Sequence, residues 1–93
     1  MEFAYVVMPI TVLNDKRLTC FDKVLYSTIF SLTKQEGYCW ATNKYLSDLV
    51  CESESYVAKS IAKLKKYDYL IVKTDYKQSY NKRRKISINY IVL

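Results

Sequence analysis

Ninety-three residues with a single Gly and a single Pro suit one domain and leave no room for a long flexible linker. Apolar residues make up 51% of the chain, so a modest core is viable, but at this length most apolar side chains must pack. The net charge is +6, and no run of about 18 apolar residues offers a membrane span, so the expectation is a cytoplasmic, non-membrane protein with a basic surface.

The opening MEFAYVVMPITVL is apolar but has no basic n-region and no small-residue cleavage site, which argues against a signal peptide. Residues 1–18 read as an N-terminal arm, with FAYVVM (residues 3–8) as a short strand or an extended segment packed on the core, Pro9 as punctuation and one helical turn over Ile10 to Leu13. A first helix follows Thr19, where Thr19 and Asp22 resemble a capping box. Its buried stripe is read as Phe21, Val24, Leu25, Thr28, Ile29 and Leu32, with Gly37 closing the unit through a positive φ. Tyr38 to Ala41 is a short apolar link, a candidate small strand, with Trp40 expected in the core. Thr42 or Asn43 caps a second helix whose inward face is Tyr45, Leu46, Leu49 and Val50.

A turn at Cys51-Glu52-Ser53 leads into a third helix, about Glu54 to Tyr67, capped by Ser53 and buried along Val57, Ile61 and Leu64. Cys51 stands where such turns favour glycine, and a left-handed backbone there costs roughly 1 kcal/mol; the expectation is that Cys51 packs, reduced, in the corner. Asp68 is a similar departure at the exit of the third helix. After it the period changes to two. Leu70, Val72 and Thr74 alternate with Ile71, Lys73 and Asp75, and Ile86, Ile88 and Tyr90 alternate with Ser87, Asn89 and Ile91. The intervening residues 76–85 are too polar for core. The chain thus reads as α+β: residues 19–68 a three-helix core with a helix-turn-helix at 43–67, then a β-hairpin wing at 69–93, which is the order of a winged helix.

Charge is unevenly spread. Residues 59–93 hold ten Lys/Arg against only Asp68 and Asp75, while residues 1–58 hold five against seven acids. That asymmetry points to a polyanionic partner, against the plainer reading of a solvated basic face. On the third helix, Ser55, Lys59, Ala62 and Lys66 lie opposite the buried stripe, flanked by Tyr56 and Lys63. Short side chains and donors suit entry into a major groove. In the wing, Lys82, Arg83, Arg84 and Lys85 would hold phosphates. Alternation puts Lys82 and Arg84 on the core side, so both must project past the core's edge to do so. Tyr76 and Tyr80 could stack there or be ordinary hairpin aromatics.

Catalytic chemistry finds little support. With no histidine, neither a metal-dependent relaxase nor an activated cysteine nucleophile can be assembled, and one glycine cannot make a phosphate-binding loop. Cys20, Cys39 and Cys51 lack zinc-like spacing and read as small buried hydrophobes. Tyr67 and Tyr69 read as packing residues with water-facing hydroxyls. No enzyme activity, metal, cofactor or small-molecule substrate is expected.

The segments MPITVLNDKRLTCFDKVLYSTIFSL and GYCWATNKYLSDLVCESESYVAKSIAKLKKYDYLIV resemble the N-terminal winged-helix domains of plasmid and phage replication initiators. The likeness spans residues 8–74. It is carried by Pro9, Val12, Leu13, Asp15, Leu18, Thr19, Lys23, Leu25 and Tyr26, then by Gly37, Trp40, Asn43, Leu46, Ser53, Val57, Ile61, Leu64 and Leu70, most of them fold-determining. It implies that Ser55, Tyr56, Lys59 and Lys63 face DNA. Initiators carry further domains, whereas this chain is one. The expected function is sequence-specific binding of double-stranded DNA, in replication initiation or transcriptional regulation, by a module small enough that a homodimer or tandem partners are expected to add affinity. The apolar N-terminal segment and the final INYIVL strand are the expected contact edges. The alternative is a protein-interaction module of a mobile element, docking on a host replication or defence protein.

Overall fold

The computed structural model describes residues 5–34, 36–75 and 83–93. Residues 5–9 form no strand, so of the two readings of FAYVVM the strand is absent where the segment is described; Phe3 and Ala4 lie outside the described residues. Helix α1 (Ile10–Leu13) is one turn that buries Val12. Helix α2 (Cys20–Leu32) opens with the expected capping box. The Asp22 N–H donates to Thr19 Oγ1 (3.1 Å), and the Thr19 N–H donates to the Asp22 carboxylate (2.9 Å).

The buried stripe of α2 differs from the one its apolar residues suggest. Val24 is exposed, Phe21 and Leu32 are half-buried, and a buried stripe runs along Asp22, Leu25, Tyr26, Ile29 and the C-cap Thr33, with Ser27 and the expected Thr28 buried beside it. The stripe keeps the helical i, i+3, i+4 rhythm, but it begins and ends on polar residues that a hydrophobic count passes over. Tyr26 is fully buried, edge-on to Tyr69 (5.7 Å between centroids) and tilted against Phe30 (6.1 Å). Its hydroxyl meets no hydrogen-bond partner among the described residues, and burial pushes its pKa up to about 12.

Gly37 has φ +80° and donates its N–H to the Thr33 carbonyl (2.8 Å), turning the chain back. Cys39 then exchanges both backbone hydrogen bonds with Ile86 at 2.7 Å, which makes the expected small strand a single bridge. Because the Cys39 side chain points inward, alternation turns Trp40 outward, and Trp40 is 55% exposed instead of buried.

Helix α3 (Asn43–Val50) is capped by Thr42. Leu46 and Ser47 are buried and Val50 is half-buried, but Tyr45 and Leu49 face outward, against expectation. A helix this short meets α4 along one narrow seam, and no described residue covers its other side. At Cys51 the backbone is left-handed (φ 59°), and the Glu52 N–H returns to the Ser47 carbonyl (3.0 Å). The Cys51 side chain is exposed, so the corner is closed by backbone hydrogen bonds and not by a packed thiol. Cys20 is exposed too, and only Cys39 is the buried hydrophobe expected of all three.

Helix α4 (Glu54–Lys66) starts at Ser53, whose Oγ accepts the Tyr56 N–H (3.1 Å), and buries Val57, Ser60, Ile61 and Leu64. Each fully buried Leu or Ile contributes about 1.5–3 kcal/mol. Its exit is a left-handed Asp68 (φ 64°), with Tyr69 N–H on Leu64 O and Asp68 N–H on Lys65 O.

Strands β1 (Leu70–Asp75) and β2 (Arg83–Ile88) pair antiparallel, with Leu70 opposite Ile88 and Val72 opposite Ile86. Leu70, Ile86 and Ile88 close the core. The strand expected over INYIVL ends at Ile88, and Tyr90–Val92 form a 3-10 turn. Asn89 redirects the chain there, its side chain donating to Asp68 O and accepting the Ile91 N–H. Helices α2, α3 and α4, the hairpin and the Cys39–Ile86 bridge make an α+β winged helix-turn-helix. Among the described residues no helix is long and apolar enough to cross a membrane.

Candidate nucleic-acid interface

The packed side of α4 fixes what its other side shows. With Val57, Ile61 and Leu64 turned inward, Ser55, Lys59, Ala62 and Lys66 all stand exposed on the opposite face, as the spacing predicts. Among the described residues no acid pairs with Lys59 or Lys66, and the Lys66 Nζ rests 5.7 Å from the Tyr67 ring centroid. Glu54, the acid in the first turn, complements the helix dipole.

Lys63 and Tyr56 sit elsewhere. Lys63 Nζ is 2.8 Å from Asp22 Oδ2, with the aspartate side chain 4% and the lysine side chain 32% exposed. Asp22 Oδ1 also accepts the Ser60 hydroxyl (2.6 Å). Burial pushes the Asp22 carboxyl up, but hydrogen bonds from Lys63, Ser60 and Thr19 outweigh it and hold its pKa below the ordinary value. Contact with Asp22 in turn raises the pKa of Lys63. The Tyr56 ring stacks on Phe21, centroids 4.3 Å apart and 14° from parallel. Both residues therefore point at the first turn of α2, away from the Ser55–Lys59–Lys66 face.

In the wing, Arg84 is a tether. Its Nη1 donates to Asn43 Oδ1 (2.7 Å) and its Nη2 to the Ala41 carbonyl (2.8 Å), joining β2 to the start of α3. It lies on the core side, as alternation requires, but it folds back onto the protein where the sequence reading had it projecting to phosphate. Burial lowers its pKa. Lys85 is exposed, its Nζ 4.7 Å from the Tyr38 ring centroid. Arg83 opens β2 opposite Asp75, and its side chain is outside what is described. Lys82, Tyr76 and Tyr80 lie outside the described residues.

Sequence reasoning missed Lys73. The register sets it directly opposite Lys85, both exposed, a like-charged pair that costs stability unless an anion neutralises it. Strand alternation alone put both on the outer face; only the register makes them neighbours. Tyr69 also departs from expectation, for its hydroxyl donates to Asp15 Oδ2 (2.5 Å) instead of meeting water. Arg17 grips the same carboxylate through Nε and Nη2 (3.0 and 2.7 Å) and lies 4.2 Å over the Tyr67 ring. Hydrogen bonds from Arg17 and Tyr69 hold the Asp15 carboxyl well below the usual carboxylate range. This cluster locks the α1–α2 link to the exit of α4. No three His, Cys, Asp or Glu side chains gather as metal ligands among the described residues.

A family model described as a helix-turn-helix domain matches residues 16–70, more than half of the chain, covering α2, α3 and α4. The match carries the helix-turn-helix and says nothing of replication. No curated protein and no solved structure matches the chain.

Proposed function

We propose the following reading of this chain, which belongs to the helix-turn-helix domain family: it binds double-stranded DNA sequence-specifically and catalyses no reaction. Helix α4 enters the major groove, and the outer face of the hairpin, Lys73 and Lys85, meets phosphate. The observation that carries this is the exposed face of α4, where Ser55, Lys59, Ala62 and Lys66 form a strip of short and cationic side chains with no acid among them. A solvated surface helix gains by alternating Glu with Lys, and this face forgoes that gain. The setting is replication initiation or transcriptional control in a plasmid or phage, and a module of this size gains affinity by acting as a homodimer.

The test is selection from a random duplex library, followed by titration of Lys59→Ala. If Lys59 reads a base, the variant loses about 1–3 kcal/mol on the selected site and less on random DNA. Equal losses would make Lys59 a phosphate contact.

A second reading, docking on a host protein, is favoured by one observation. Trp40 and Tyr45 are exposed beside a groove of about 440 Å³ also lined by Leu32, Cys39, Ala41 and Thr42. A saturable protein complex indifferent to duplex competitor would support it.

A further inference from the structure

The first turn of α2 holds α4 along one stripe. Tyr56, Ser60 and Lys63 are spaced i, i+4 and i+7, and all three meet α2: Tyr56 stacks on Phe21, and Ser60 and Lys63 share the Asp22 carboxylate. These contacts span roughly 10 Å of helix. Turning α4 by one residue would swing the stripe through about 100° and break all three. We infer that Asp22 positions the DNA-facing helix in rotation and withholds Lys63 from the phosphates.

Lys63 stands only about 40° around the helix from Lys59, within a lysine's reach of the groove-facing strip. It is turned the other way because a nearly buried carboxylate lies within 2.8 Å. Moving it to a phosphate would strand that carboxylate under the helix without its cation, which is expensive for a buried charge. The DNA-facing surface thus presents fewer cations than α4 carries, and non-specific attraction is held down in favour of Ser55, Lys59 and Ala62. This inference rests on the DNA-binding reading above.

The test uses the full chain as wild type, Asp22→Asn, Lys63→Gln and the double variant. Affinity for a random duplex and for a selected duplex is followed across a salt series, with circular dichroism and urea unfolding on each protein. Lys63→Gln should leave the slope of log affinity against log salt unchanged. Asp22→Asn should steepen it by about one unit, as Lys63 is released to phosphate, and lower the selected-to-random ratio. The double variant should return to the wild-type slope. A merely structural role for Asp22 would weaken folding without steepening the slope. A slope flattened by about one unit in Lys63→Gln, or slope and ratio both unmoved in Asp22→Asn, overturns the inference. If Asp22→Asn fails to fold, the Lys63→Gln slope decides alone. If the wild type shows no salt-dependent duplex binding, the DNA reading itself fails. The positioning claim then rests on the Asp22–Lys63 coupling in urea, and additive losses there would overturn it.

Discussion

Replacing Arg84 with Met distinguishes a tether from a phosphate contact. Methionine keeps most of the aliphatic stem but removes the donors to Asn43 Oδ1 and the Ala41 carbonyl. A hydrogen bond to a charged group contributes about 1.5–3 kcal/mol net, and partial exposure favours the low end, so the loss should be about 3 kcal/mol. A 93-residue domain has roughly 5–14 kcal/mol in total, so this is a substantial fraction. With an unfolding entropy near 2.1 cal/mol/K per residue, Tm should fall by about 15 °C. Urea unfolding and a thermal scan give the stability, and duplex titration across salt gives the slope. Arg84→Lys is the control. It keeps the charge but cannot span both acceptors with a planar fork, so it should also lose stability. The reasoning is refuted if Arg84→Met unfolds at the wild-type midpoint while its salt slope flattens by about one unit, for the guanidinium would then be on DNA.

Four further outcomes follow from the packing. Asp22 and Asp15 both have depressed pKa values in the folded state, so their contribution is fully present above the unfolded value of about 3.9 and is lost as pH falls through the folded values. The urea midpoint should therefore drop below about pH 4, less steeply in Asp22→Asn, and an acid limb identical in that variant would contradict the assignment. Cys51→Gly relieves a left-handed Cβ and should raise stability by up to about 1 kcal/mol. A thiol reagent should label Cys20 and Cys51 in the native protein and Cys39 only on unfolding; equal rates for all three would deny that Cys39 is buried. Tyr26→Phe deletes a buried hydroxyl with no partner among the described residues and should stabilise by about 1 kcal/mol in urea, whereas a loss of stability would reveal a partner.

The helices were legible because caps and periodicity agree. Thr19, Thr42 and Ser53 mark the starts, and Cys51 and Asp68 take the positive φ that their places in the chain demand. The exposed strip of α4 followed from Val57, Ile61 and Leu64, since naming one face of a helix names its opposite. Errors arose where a partner from elsewhere in the chain decides. Nothing near Lys63 in sequence reveals Asp22, and nothing near Arg84 reveals Ala41 and Asn43. Local apolar character misled in the same way at Trp40, Tyr45 and Leu49, which look like core until Cys39 and Leu46 have filled the inward positions.

The paired hydrogen bonds between Cys39 and Ile86 bear on how the domain comes together and how it can be dissected. The two residues come from opposite halves of the chain, so this closure has a high loop-ordering cost and belongs late in folding, after the helices have formed from nearer contacts. Until β2 arrives, the link between α2 and α3 has no partner for the N–H and carbonyl of Cys39. The hairpin is thus the last brace of the helical core as well as an appendage, and a shortened chain lacking β2 would lose Ile86 and Ile88 from the core along with those bonds. Its contribution to binding can be measured by changing the charge of Lys73 and Lys85, not by cutting it off.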